Sequence, residues 1–125
     1  MPSPADRVYS ETHEWNKLEG ETVTIGLTRF AVDALTDVTF VGMKPKGTKV
    51  TPGGVVGEVE SVKTTSDVYS AAGGEVVEVN AAAAEDPSLV NSDPYGKGWL
   101  VKVRVADAGP LERLMKAAAY DAAHP

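Results

Sequence analysis

The sequence contains no cysteine, which excludes disulfide bonds, zinc–cysteine sites and thiol catalysis by the chain's own side chains. Long apolar runs are missing too: the longest span a few residues, whereas a membrane-crossing helix needs about 20. Positive charge is also scarce. The net charge of −6 argues against a nucleic-acid partner, because neutralising phosphates requires clustered Lys and Arg. It suits a protein that docks on basic patches of other proteins.

The conventional catalytic motifs are absent as well. The two histidines, His13 and His124, form neither H-x-x-x-H nor H-x-H, and no G-x-S-x-G sequence is present. Neither the phosphate-binding GxxxxGK[ST] motif nor a βαβ unit with G-x-G-x-x-G occurs. We therefore expect no catalytic residue, no metal site and no enzymatic activity from the chain itself. "MPSPADR" lacks the apolar segment of a signal peptide and is not an Arg-rich leader, so the sequence predicts a cytoplasmic protein.

What the sequence does contain is a series of short alternating segments between turn signals. Apolar and polar residues alternate in "TVTIGL", "EVVEV" and "WLVKVRV", which predicts strands with one buried face. Thr28 can cap a short helix, "RFAVDALT", and Pro87 can start a helical turn. "PLERLMKAAAYDAA" has apolar residues at helical spacing and predicts a helix over about 110–122. The pattern favours a mainly β fold, a small sandwich or flattened barrel. The predicted core includes Trp15, Phe30, Phe40, Val77, Val79, Trp99, Val101 and Val103.

"VGEVESVKTTSDVYS" predicts two strands with Lys63 at the tip between them. Most turn lysines are simply solvated. Here, however, matched strands would make the tip protrude, and the neighbours of Lys63 are small or β-branched. Glu60 precedes it by three residues and Asp67 follows by four. An exposed lysine on a rigid hairpin is a suitable place for an enzyme to attach a prosthetic group.

"ESVKTTSDVYS" closely resembles the lipoylation segment of the H protein of the glycine cleavage system. "THEW", "TIGLTRFAVDALTDVTFV", "GEVVEVN" and "DPSLVNSDPYGKGWLVKV" resemble the same family in order and spacing, so the resemblance covers roughly residues 8–120. Two segments depart from the family pattern. "SAAGG" stands where S-P-x-S-G is common, and "FVGMK" stands where F-V-E-L-P is usual.

The resemblance implies a lipoyl-domain-like barrel-sandwich hybrid with short helices and a C-terminal helix. Residues 1–125 would form a single, monomeric lipoyl-carrier domain, with a core over about 8–106. Lipoate would be attached to Lys63 by an amide bond. The oxidised lipoyl group would accept an aminomethyl group from a pyridoxal-phosphate glycine decarboxylase and present it to a folate-dependent aminomethyltransferase. A dihydrolipoyl dehydrogenase would then reoxidise the dithiol. The chain would be a carrier, and a lipoate-attaching enzyme would be its fourth partner.

The resemblance also suggests roles for individual residues. Glu60, Asp67 and Gly74 match positions linked to recognition by the lipoate-attaching enzyme. Glu14 and Asp67 match acids credited with holding the amine end of the arm in a surface cleft, and carboxylates suit a cationic amine. The plainer interpretations are that Gly74 is a turn glycine with positive φ and that Glu14 and Asp67 are solvated acids.

Several alternatives stay open from the sequence. Biotinyl domains usually read M-K-M around the lysine and acyltransferase lipoyl domains D-K-A, and neither pattern is present. A relay protein that donates lipoate to other complexes would share the same motif. An unmodified β domain that acts only as a binding module is a further possibility.

Overall fold

The computed structural model describes residues 3–124 as two β-sheets with short helices at their margins. Ten strands are numbered in chain order. They are β1 (Val8–Tyr9), β2 (Glu14–Glu19), β3 (Thr22–Leu27), β4 (Val38–Met43), β5 (Lys49–Val50), β6 (Val55–Ser61), β7 (Thr65–Tyr69), β8 (Gly74–Val79), β9 (Val101–Val105) and β10 (Met115–Lys116). The helices are α1 (Arg29–Leu35), α2 (Ala81–Glu85), α3 (Ser88–Ser92), a 3-10 helix (Gly109–Arg113) and α4 (Ala117–Ala123).

Seven strands form one sheet in the order β10-β1-β2-β3-β9-β8-β5, and three form the other in the order β4-β6-β7. Both sheets are open, and every pairing between strands is antiparallel. The mainly β prediction is confirmed. Within residues 3–124, no helix is long and apolar enough to cross a membrane.

Alternation along the strands supplies the core, as the sequence predicts. Val23, Ile25 and Leu27 of β3 are buried, and so are Val101 and Val103 of β9. These strands pair with Val23 opposite Val103 and Ile25 opposite Val101, so apolar side chains meet on one face. Burial of apolar side chains in this way makes the largest favourable contribution to the free energy of folding.

Two predicted core residues, Phe30 and Phe40, are instead exposed by 42% and 44%. The pairing of β4 with β6 shifts register between Val38 and Phe40, so simple alternation breaks there. As a result Val38 and Val41 point inward, and Phe40 lies on the outer face of an edge strand. On α1 the buried side chains are Val32 and Leu35, and Phe30 packs against the ring of His13.

The burial of the other predicted core residues varies. Trp15 is buried, and its indole N–H donates to the Pro94 carbonyl at 2.9 Å. Trp99, Val77 and Val79 are only partly buried, and Val76 takes the inward position in β8.

The predicted helix over 110–122 is wrong in its first half. The chain forms the 3-10 helix, becomes extended at Leu114 and then pairs as β10 with β1. Only α4, from Ala117, is α-helical. Strand pairing with Val8–Tyr9 and burial of Leu111 outweigh the helical pattern of the local sequence.

Candidate functional site

Lys63 lies in a tight turn between β6 and β7, here called the lysine turn (residues 61–64). The backbone N–H of Ser61 donates to the Thr64 carbonyl at 2.8 Å. The Ser61 hydroxyl oxygen accepts the N–H groups of Lys63 at 3.1 Å and of Thr64 at 3.2 Å. The turn therefore needs no Asn-Gly, because a serine side chain orders it. The Lys63 side chain is exposed, as the sequence predicts.

The lysine turn is hydrogen-bonded to the end of α1 and to the connection between α1 and β4. The Val62 N–H donates to the Asp37 carbonyl at 3.1 Å, which fixes the turn to this connection. The Lys63 ammonium donates to the Ala34 carbonyl at 3.3 Å. That carbonyl belongs to the last turn of α1, where a helix has unpaired acceptors and favours positive charge.

Three carboxylates occupy the outer face of the hairpin beside the lysine turn. Glu60 lies opposite Thr65, and Glu58 lies opposite Asp67. Because residues two apart on a strand share a face, Glu58, Glu60 and Asp67 all point the same way. No ion pair within residues 3–124 involves these side chains. Glu58 is a member of this group that the family pattern did not single out.

Glu14 is almost completely enclosed, with 1% of its surface exposed. The hydroxyls of Ser10 and Thr12 donate to one carboxylate oxygen, and the Tyr69 N–H donates to the other at 3.2 Å. Burial raises the pKa of Glu14 above its ordinary value, and the three donors partly oppose that rise. The interpretation as a solvated acid is therefore wrong for Glu14, whereas Asp67 is exposed.

Glu14 meets the last residue of β7 and Asp67 lies in the middle of that strand, and the two acids line different depressions. Tyr69, which donates to Glu14, follows Asp67 by two residues on the strand. Glu14 lines a cavity of about 230 Å³. The other residues lining it are Ser10, Thr12, Gly53, Tyr69, Ser70 and Ala71. Asp67 lines a separate depression with Met43. The two acids therefore do not share one pocket.

Gly74 lies at the start of β8, in the seven-stranded sheet, paired with Val105 of β9 and Val50 of β5. The interpretation as a glycine with positive φ is wrong, since its backbone is not left-handed. The restriction is steric: a Cβ at this position would collide with the Arg104 carbonyl oxygen. The close approach of the β8 and β9 backbones is enough to explain a glycine here, with no role in recognition by a partner enzyme.

The raised pKa of Glu14 predicts a specific dependence of stability on pH. The folded protein holds the Glu14 proton more tightly than the unfolded chain does. The contribution of Glu14 to the free energy of unfolding therefore falls as pH rises through the window from its ordinary pKa to the raised one. We expect urea unfolding between pH 4 and 7 to show wild type losing stability relative to Glu14→Gln as pH rises. A difference that stays constant, or that grows in favour of wild type, would contradict the raised pKa.

Comparison with known proteins decides the family. The family model described as "Glycine cleavage H-protein" matches residues 7–124. The chain belongs to the glycine cleavage H-protein family. A "Glycine cleavage system H protein" of Thermus thermophilus is 48% identical over 120 residues, covering 96% of this chain and 94% of that protein. "Glycine cleavage system H protein 1" of Caldanaerobacter subterraneus is 52% identical over 115 residues, covering 92% and 91%.

A solved structure from the same family has the same fold. The crystal structure of a glycine cleavage system H protein from Mycobacterium marinum superposes with a TM-score of 0.88 at 40% identity. The match covers 97% of this chain and 98% of that one. Family membership and the barrel-sandwich architecture predicted from the resemblance are confirmed.

Proposed function

We propose that the chain is the lipoyl carrier of a glycine cleavage system and that Lys63 is its attachment site. The observation that carries the proposal is the lysine turn. In a chain of this family, one exposed amine stands at the end of a hairpin whose tip is fixed by the Ser61 hydroxyl and the Asp37 carbonyl. A rigid base of this kind presents the amine to a modifying enzyme at low entropic cost.

The residues present fit covalent attachment of lipoate. Lys63 offers a primary amine that can form an amide with the lipoate carboxyl group, and its neighbours Val62 and Thr64 are themselves exposed. Lipoate would supply the redox-active sulfur pair that the cysteine-free chain lacks, and with it the group that carries the aminomethyl unit. A tethered carrier keeps the intermediate at high effective concentration between enzymes.

Glu14 is suited to hold the cationic end of a loaded arm. Its carboxylate is buried against the cavity beside β7, and each of its described contacts donates a hydrogen bond to it. A methylammonium group beside it would favour the ionised form. Asp67, on the outer face of β7, would contribute a second negative charge at longer range.

Glu60 and Asp67 would guide the lipoate-attaching enzyme. They flank the lysine turn on the outer face of the hairpin, together with Glu58. A partner with a basic surface would be attracted to them. Gly74 has a complete structural explanation in its contact with Arg104, so we assign it to the fold and not to recognition.

The test is glycine-dependent exchange of carboxyl carbon with CO₂, catalysed by a glycine decarboxylase. We expect lipoylated wild type to support exchange, and unmodified protein and Lys63→Ala to give background. If lipoylated wild type gives no exchange above that background, glycine cleavage is the wrong assignment. A second assay would then ask whether the chain donates lipoate to another carrier, the relay alternative.

A further inference from the structure

Asn91 on α3 clamps the connection that carries the lysine turn. Its amide nitrogen donates to the Thr36 carbonyl at 2.6 Å, and its amide oxygen accepts the Val38 N–H at 2.9 Å. These two backbone groups lie on either side of Asp37. One side chain therefore fixes both flanks of the residue whose carbonyl accepts the Val62 N–H.

The clamped segment has an unusual backbone. Thr36 has φ of +64°, a conformation that β-branched residues rarely adopt and that persists only where the surroundings enforce it. The Asn91 amide bonds directly to the carbonyl of this residue. Asn91 is itself held, because the Arg29 guanidinium donates to its backbone carbonyl at 2.7 Å and so ties α3 to α1.

We propose that Asn91 is a positioning residue for the modification of Lys63. The proposal rests on the proposed function and adds a residue to it. The path combines hydrogen bonds with the chain between them: the Asn91 amide bonds to Thr36 and Val38, Asp37 between them accepts the Val62 N–H, and Lys63 follows Val62. Within residues 3–124, none of the hydrogen bonds of Asn91 reaches Lys63 or the hairpin, so we infer that it acts through the α1–β4 connection.

Asn91→Ala should loosen the lysine turn while leaving the amine chemically unchanged. A turn that is ordered for a smaller fraction of the time binds a modifying enzyme more weakly in proportion to that fraction. We expect hydrogen exchange at the Val62 amide of the unmodified protein to speed up about fivefold or more, as loss of a hydrogen bond implies. With lipoate ligase, ATP and lipoate, the KM for the protein should rise by the factor by which the ordered fraction of the turn falls, a smaller factor than the rise in exchange, while kcat stays within about twofold.

Asn80→Ala is the matched control. Like Asn91, Asn80 bonds through its side chain to backbone groups: its amide nitrogen donates to the carbonyls of Lys97 and Trp99 at 2.8 and 2.6 Å. Its side chain also caps α2, and none of its described contacts reaches the lysine turn. Asn80→Ala should lose about as much global stability as Asn91→Ala does. Its KM should stay at the wild-type value, and so should its Val62 exchange rate once that rate is corrected for global unfolding.

Asn91→Asp is a second, milder variant in case Asn91→Ala does not fold, because the aspartate keeps the oxygen that accepts the Val38 N–H. It should also raise Val62 exchange and KM. The proposal is overturned if Val62 exchange and KM stay at wild-type values in the folded Asn91 variants. It is equally overturned if Asn80→Ala changes them as much. Since Val62 exchange is measured without lipoate, it tests the clamp even if Lys63 proves not to be the modified residue.

Discussion

Lys63→Ala should accept no lipoyl group when incubated with lipoate ligase, ATP and lipoate, while wild type gains the mass of one. The expectation follows from where Lys63 lies in the fold. Lys63 is the lysine of the ordered turn at the end of the β6–β7 hairpin, and attachment needs an amine that an active site can enclose. The readout is intact mass, followed by mapping of the modified peptide.

Lys46→Ala is the control for this substitution. Lys46 is also an exposed lysine, in the turn-rich segment between β4 and β5, so its loss removes a similar charge. It should be modified as fully as wild type. Lipoyl mass on Lys63→Ala, or its loss in Lys46→Ala, would refute the assignment of the site.

Gly74→Ala should cause a large loss of stability. The new methyl group would overlap the Arg104 carbonyl, which belongs to the backbone of the paired strand and cannot rotate away. Overpacking that forces backbone shifts costs up to about 3 kcal/mol, a large part of the stability of a small domain. Urea or thermal unfolding should show this loss directly.

Gly109→Ala is the matched control, because its nearest contact is the exposed Asp107 carboxylate, which can move. It should unfold within about 0.5 kcal/mol of wild type, as surface substitutions usually do. Lipoylation of Gly74→Ala should follow its folded fraction. A fully folded Gly74→Ala protein that the ligase fails to modify would restore Gly74 as a recognition residue and contradict the structural explanation.

The elements that the sequence predicts well are those in which local pattern and tertiary environment agree. The alternation of β3 and β9 and the Thr28 cap of α1, whose hydroxyl accepts the Ala31 N–H at 3.1 Å, are of this kind. The pattern fails where a distant partner decides. A helical spacing around Leu114 yields to strand pairing with β1, and a shift of register turns Phe40 outward.

The candidate site follows the same rule. The hairpin and the exposure of Lys63 are predictable, since two alternating segments enclose the motif. The burial of Glu14 is not, because part of its enclosure comes from Tyr69, far away in sequence. The roles of Asp37 and Asn91 arise from hydrogen bonds to backbone groups of separate elements, which residue types and spacing do not encode.

The central claim is that this chain carries lipoate on Lys63, and the most direct test is the intact mass of the protein isolated from its native source, with peptide mapping. We predict a fraction heavier than the chain by one lipoyl group, with the addition on the peptide that contains Lys63. A protein recovered from glycine-grown cells wholly without that addition, or with it on another lysine, would contradict the account.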